Sequence, residues 1–114
     1  TIRLSGRDYW TGTVYTTNRR VWEHDEDFKD YLREVRAMAI DMETATIFIT
    51  GFHNHIPTGA LLLVSDQPMV PEGVKTAESD KKVTTEFVTR HLEIGINSLK
   101  QLINNGNTVK HLKF

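Results

Sequence analysis

Short runs rich in β-formers alternate along this chain with segments whose apolar residues recur every three or four positions, and this alternation constrains the fold most. Residues 11–17, TGTVYTT, read as a strand. From Asp25 the pattern becomes helical: Phe28, Tyr31, Leu32 and Val35 share one face, with acids in the first turn where the helix dipole favours them. Residues 37–40, AMAI, suit an interior strand. Met42, Ala45, Ile49 and Phe52 then follow at spacings of 3, 4 and 3. Ile47 and Phe48 cover another side, so this helix is expected to be buried nearly all round. HNHIPTG breaks the pattern with Pro57 and Gly59. ALLLV, residues 60–64, reads as the strongest strand, apolar on both faces like a covered parallel strand. QPMVPEGVKT is a loop. A long helix over about 79–104 follows, with Val88, Leu92, Ile96, Leu99 and Ile103 as its stripe and Asn105-Gly106 as its stop.

The order β-α-β-α-β-α implies an α/β fold with a largely parallel sheet and helices on its faces. Ligands in such folds sit outside the carboxyl ends of the strands. Asp41, Glu43 and Asp66 fall at those ends. With 114 residues the chain is about one domain. A net charge of −1 without a basic run gives no argument for nucleic acid or an anionic membrane. Without cysteine, disulfides, thiolate catalysis and zinc–cysteine sites are excluded. The longest apolar run, residues 60–64, is too short to span a bilayer, and a cytoplasmic protein is the default expectation.

Each acid has a plain reading beside a functional one. Asp66, after ALLLVS, is either a turn acid capping backbone N–H groups or an acid at a ligand crevice. Glu43 either complements the helix dipole or offers a bidentate acceptor to a vicinal diol such as that of ribose. Asp41 reads as a structural acid, a helix cap or an arginine partner. Arg19-Arg20 with Trp22 either hold an anion and stack a base or form a surface loop anchored by the Trp. His53 and His55 form an H-x-H pair whose members point to different helix faces, so no metal site is expected. His24, His91 and His111 read as surface groups.

IDMETATIF together with ALLLVSDQP resembles the nucleoside phosphorylase and nucleosidase superfamily. That family carries a Met-Glu-small motif at a helix start and a strand ending in Ser-Asp, here Met42-Glu43-Thr44-Ala45 and Ser65-Asp66. The flanking GTVYTTNRRVWEHDE and the closing VKHLKF extend the resemblance over the whole chain, specifically to the carboxyl-terminal part of AMP-cleaving members. The resemblance implies a three-layer α/β/α fold with a central mixed sheet. It implies that residues 1–114 are the carboxyl-terminal part of the catalytic domain, with further chain upstream of Thr1 holding the 5′-phosphate and the attacking water. It implies hydrolysis of AMP to adenine and ribose 5-phosphate, a step of purine salvage. By the same resemblance Glu43 holds the ribose hydroxyls, Met42 packs beneath the sugar, and Asp66 protonates N7 of the leaving purine.

Related enzymes place a Ser-Asp-x-Phe-like stretch before the Met-Glu motif, with the Phe stacked on the base. Here the nearest text is Thr17-Asn18-Arg19-Arg20 with Trp22 two places on, so Arg20 and Trp22 are both candidates to meet the adenine. The resemblance further implies a homo-oligomer, a hexamer, with ATP and phosphate as regulators, and requires no cofactor. Two rivals share Met42, Glu43 and Asp66: a purine nucleoside phosphorylase, and a nucleotide-binding domain without turnover. Phosphate-dependent cleavage of nucleosides marks the first, and tight AMP binding without adenine release the second.

Overall fold

A computed structural model describes residues 2–106. They divide into two compact units, one of residues 11–76 and one of residues 2–10 with 77–106. In the first unit, β1 (Val14–Thr16) leads through α1 (Glu26–Glu34) to β2 (Ala39–Asp41), and β2 runs directly into α2 (Thr44–His53). The strands are parallel, with Val14 opposite Ala39, Tyr15 opposite Ile40 and Thr16 opposite Asp41. The expected β-α-β-α order therefore holds for the first four elements, as a mixed helix–strand structure with a two-stranded parallel sheet.

Helix α1 starts where the Asp25 carboxylate accepts a hydrogen bond from the Phe28 N–H (3.0 Å). Its apolar face is buried through Phe28 and Leu32. Tyr15 of β1 meets Phe28 and Tyr31 edge-on, each at 5.7 Å, and Trp22 meets Phe28 at 6.1 Å. These rings gather around the buried Phe28, and edge-to-face contacts of this kind add to the burial they accompany.

The two helices end alike. After α1 the Ala37 N–H reaches back to Leu32 C=O and the Arg36 N–H to Arg33 C=O. After α2 the Ile56 N–H reaches Gly51 C=O and the His55 N–H reaches Phe52 C=O. Both are Schellman closures, and each puts a non-glycine residue in the left-handed region: Arg36 at φ 53° and His55 at φ 56°.

Four expectations need correction. Residues 60–64 join no sheet among the described residues, because a strand needs a hydrogen-bonded neighbour and the sheet consists of β1 and β2. Helix α2 is not buried all round: Ile47, Phe48, Ile49 and Phe52 are exposed, while β1 and the turn around Thr58 lie against other parts of it. The final helix forms as α3 (Ala77–Val83), a π turn (Thr84–Val88) and α4 (Thr89–Asn104). Its stripe of Leu92, Ile96, Leu99 and Ile103 is exposed, whereas Phe87, His91, Ile94 and Ser98 are half-buried. The amino-terminal segment explains that choice of face: Arg7 stacks over Phe87, and Arg90 donates to Ser5 C=O (2.7 Å). Finally, the loop after Asp66 contains a 3-10 turn, Pro71–Gly73. The expected stop is observed, with Gly106 left-handed at φ 62°. VKHLKF and His111 lie outside the described residues.

Candidate active site at the carboxyl ends of the two strands

A cleft of about 790 Å³ opens at the carboxyl end of β1 and β2. Its walls are Tyr15 to Arg19 on one side, Asp25, Asp27, Phe28 and Tyr31 from α1, and Met42 and Thr46 at the start of α2. This is the crevice that a parallel α/β arrangement predicts.

The floor is built from polar groups that tie strands to helix. Thr16 Oγ1 donates to Asp41 Oδ1 (2.7 Å) and accepts from the Ala45 N–H (2.9 Å). Asp41 Oδ2 accepts from the Thr44 N–H (3.0 Å), and its backbone carbonyl accepts from the Thr17 N–H (2.9 Å). Asp41 is thus a structural acid that caps α2. The Thr44 and Ala45 N–H groups would otherwise lack a partner at the start of the helix.

The loop leaving β1 is equally fixed. Buried Thr17 accepts from the Arg19 N–H (3.0 Å). The Arg19 guanidinium pairs with Asp25 Oδ2 (2.7 Å) and lies 4.7 Å above the Phe28 ring. Trp22 is turned against Phe28, so it anchors the loop onto α1. Arg20 is exposed and outside the cleft lining. Of the basic pair, then, Arg19 faces the cleft. The Arg19–Asp25–Phe28 grouping escaped sequence reading because its members are six and nine positions apart and join only when the loop folds back onto α1.

Met42 lines the cleft. Glu43 is exposed at the N-cap of α2, and its Oε2 accepts from the Met42 N–H (3.0 Å). Asp66 is half-buried outside the cleft lining and accepts from the Ser65 hydroxyl. The loop beyond it closes on itself, the Gln67 N–H donating to Gly73 C=O (2.8 Å). A Cβ at position 73 would stand 2.1 Å from the Gln67 carbonyl oxygen, so the closure needs glycine there. The structure therefore brings Met42 to the cleft and leaves Glu43, Asp66, Arg20 and Trp22 outside the lining, Glu43 being the neighbour of Met42 in the chain. Among the described residues, no cluster of three or more His, Asp or Glu side chains could hold a metal ion, and no helix is long and apolar enough to cross a membrane.

Two curated proteins, both named AMP nucleosidase and from Escherichia coli strains K12 and O157:H7, are 36% identical to this chain over 104 residues. The match takes in 90% of this chain and 21% of each relative, so the chain spans about a fifth of the length of the curated relatives it matches. No solved structure matches it significantly. The family model described as the phosphorylase superfamily matches residues 2–104. The chain belongs to the phosphorylase superfamily.

Proposed function

We propose that the protein of which these residues form the site cleaves the N-glycosidic bond of AMP, giving adenine and ribose 5-phosphate. The observation that carries this reading is the 36% identity to AMP nucleosidases across nearly the whole chain. The Met42-Glu43 junction standing at the strand-end cleft supports it. Water attacks C1′ of the ribose and yields one proton to solvent, the C1′–N9 bond breaks, and its electron pair leaves with the purine. Positive charge builds on the sugar ring and negative charge on the base. Glu43 holds the 2′- and 3′-hydroxyls and sets a fixed carboxylate near the oxocarbenium-like sugar. Met42 packs beneath the ribose. Asp66 delivers a proton to N7, so the base departs neutral, which requires the Asp66 loop to face the same ligand as Glu43.

At the base, Trp22 is committed to Phe28, and Arg19 is the side chain of its loop that faces the cleft. We therefore place the purine nearer Arg19 than Trp22, with Arg20 at the margin. The three-layer α/β/α arrangement, the homo-oligomer, and regulation by ATP and phosphate belong to the same proposal and rest on the resemblance alone.

Family membership favours one rival reading, phosphorolysis of an unphosphorylated nucleoside, in which phosphate replaces water. An Asp66→Asn variant of the full-length protein tests the shared leaving-group chemistry. Loss of a proton donor should slow adenine release by at least about a hundredfold. An unchanged rate would remove Asp66 from the mechanism.

A further inference from the structure

We infer that Thr16 and Asp41 are positioning residues for Glu43, holding the first turn of α2 so that its carboxylate stays available to the sugar; this rests on the assignment of Glu43 to the ribose hydroxyls. Helix N-caps commonly satisfy the orphan N–H groups of the first turn with their own side chain. Glu43 occupies the N-cap of α2 but makes no such bond. The work is done by two other residues. Asp41 Oδ2 takes the Thr44 N–H (3.0 Å) and Thr16 Oγ1 takes the Ala45 N–H (2.9 Å). Thr16 also donates to Asp41 Oδ1 (2.7 Å), which joins the two acceptors into one clamp.

The strand register makes this arrangement possible. Parallel pairing sets Thr16 directly opposite Asp41, at the last position of each strand. The main chain of Glu43 is therefore bracketed. Asp41 before it is held in the ladder and bonded to Thr17, and Thr44 and Ala45 after it are bonded to the clamp. Thr44, in the same turn, is buried. The Glu43 side chain is left outside the capping network and exposed, with one oxygen resting on the Met42 N–H. A carboxylate released from capping and carried on a fixed backbone is preorganised to accept from a diol, and positioning of this kind decides how much a binding group contributes.

The test is a double-mutant cycle in the full-length protein, combining Thr16→Val with Glu43→Gln and reading kcat and KM for AMP cleavage. Where Glu43→Gln turns over too slowly, AMP binding measured by calorimetry supplies the same cycle. Thr16→Val keeps the β-branched shape and removes the hydroxyl. It should cost about tenfold in kcat/KM in the wild-type background. In the Glu43→Gln background it should cost less than about threefold, because the two act through one contact. Thr16→Ser should restore the rate, and Asp41→Asn, which disrupts the clamp from its other side, should show the same dependence on Glu43. Equal losses in both backgrounds would mean that Thr16 and Asp41 serve structure alone, and would overturn the inference. A Glu43→Gln variant that binds and cleaves AMP as well as wild type would instead overturn the sugar-binding role on which it rests, whereas a wild-type protein that neither binds nor cleaves AMP would overturn the proposed function.

Discussion

The carboxylate of Asp25 divides its oxygens between unlike partners: Oδ1 accepts from the Phe28 N–H and Oδ2 pairs with Arg19. The two roles separate by substitution. Asp25→Asn keeps an oxygen for the cap and loses only an ion pair whose members are 56% and 40% exposed, so its effect on stability should stay within about 1 kcal/mol. Asp25→Ala loses the cap as well and should cost about 1 kcal/mol more, read as a difference in thermal midpoint between the two variants. Equal midpoints would deny the cap any weight. The acids at the start of α1 were readable as first-turn charges, but which of Asp25, Glu26 and Asp27 caps was not, because all three can accept. Asp41 was readable as a cap from its place between strand and helix. Its partner Thr16 was not, since the two are 25 positions apart and meet only through the strand register. The strand-to-helix corner leaves the Glu43 side chain exposed.

At the scale of the elements, periodicity located α1, α2 and the last helix well, because an apolar spacing of three and four residues is a local property. Partnership is not local. The run at 60–64 has strand composition and joins no sheet among the described residues, and the strongest apolar stripe of α4 faces away from the segment that covers this helix. The closures after α1 and α2 were equally hard to see, since both use a left-handed residue other than glycine. His55 tests that point. A left-handed conformation disfavours residues with a Cβ, so His55→Gly should strengthen the end of α2 by roughly 0.5–1 kcal/mol. Slower hydrogen exchange at the Ile56 amide, which bonds to Gly51, would report it. Gly51→Ala should act in the opposite sense, because its Cβ would stand 2.2 Å from Thr58 Cγ2 and 2.9 Å from Ile56 C=O. Faster exchange at the same amide is the expected result, and unchanged protection would mean that the 56–58 turn yields freely.

For the whole molecule, the imbalance between buried and exposed apolar groups governs behaviour. Phe28 and Leu32 are the buried hydrophobic residues among those described, while α2 and α4 present Ile47, Ile49, Phe52, Leu92, Ile96 and Leu99 to solvent. So small a core cannot offset the conformational entropy of ordering the chain. The 114-residue chain by itself should therefore lose its circular dichroism gradually on heating and bind a hydrophobic dye at room temperature. A sharp, cooperative melt of the monomer would contradict this. The family was legible in Met42-Glu43 and Ser65-Asp66, because both are short local motifs, whereas only Met42 of these four residues lines the cleft. How Asp66 meets the ligand was not, because that depends on the path of the loop between Ser65 and Gly73. The most direct test of the central proposal is adenine release from AMP by the full-length protein, with adenosine as the alternative substrate and phosphate present or absent. The expected result is cleavage of AMP at a rate that does not depend on phosphate, yielding ribose 5-phosphate, and no cleavage of adenosine. Cleavage of adenosine that requires phosphate and yields ribose 1-phosphate would contradict it.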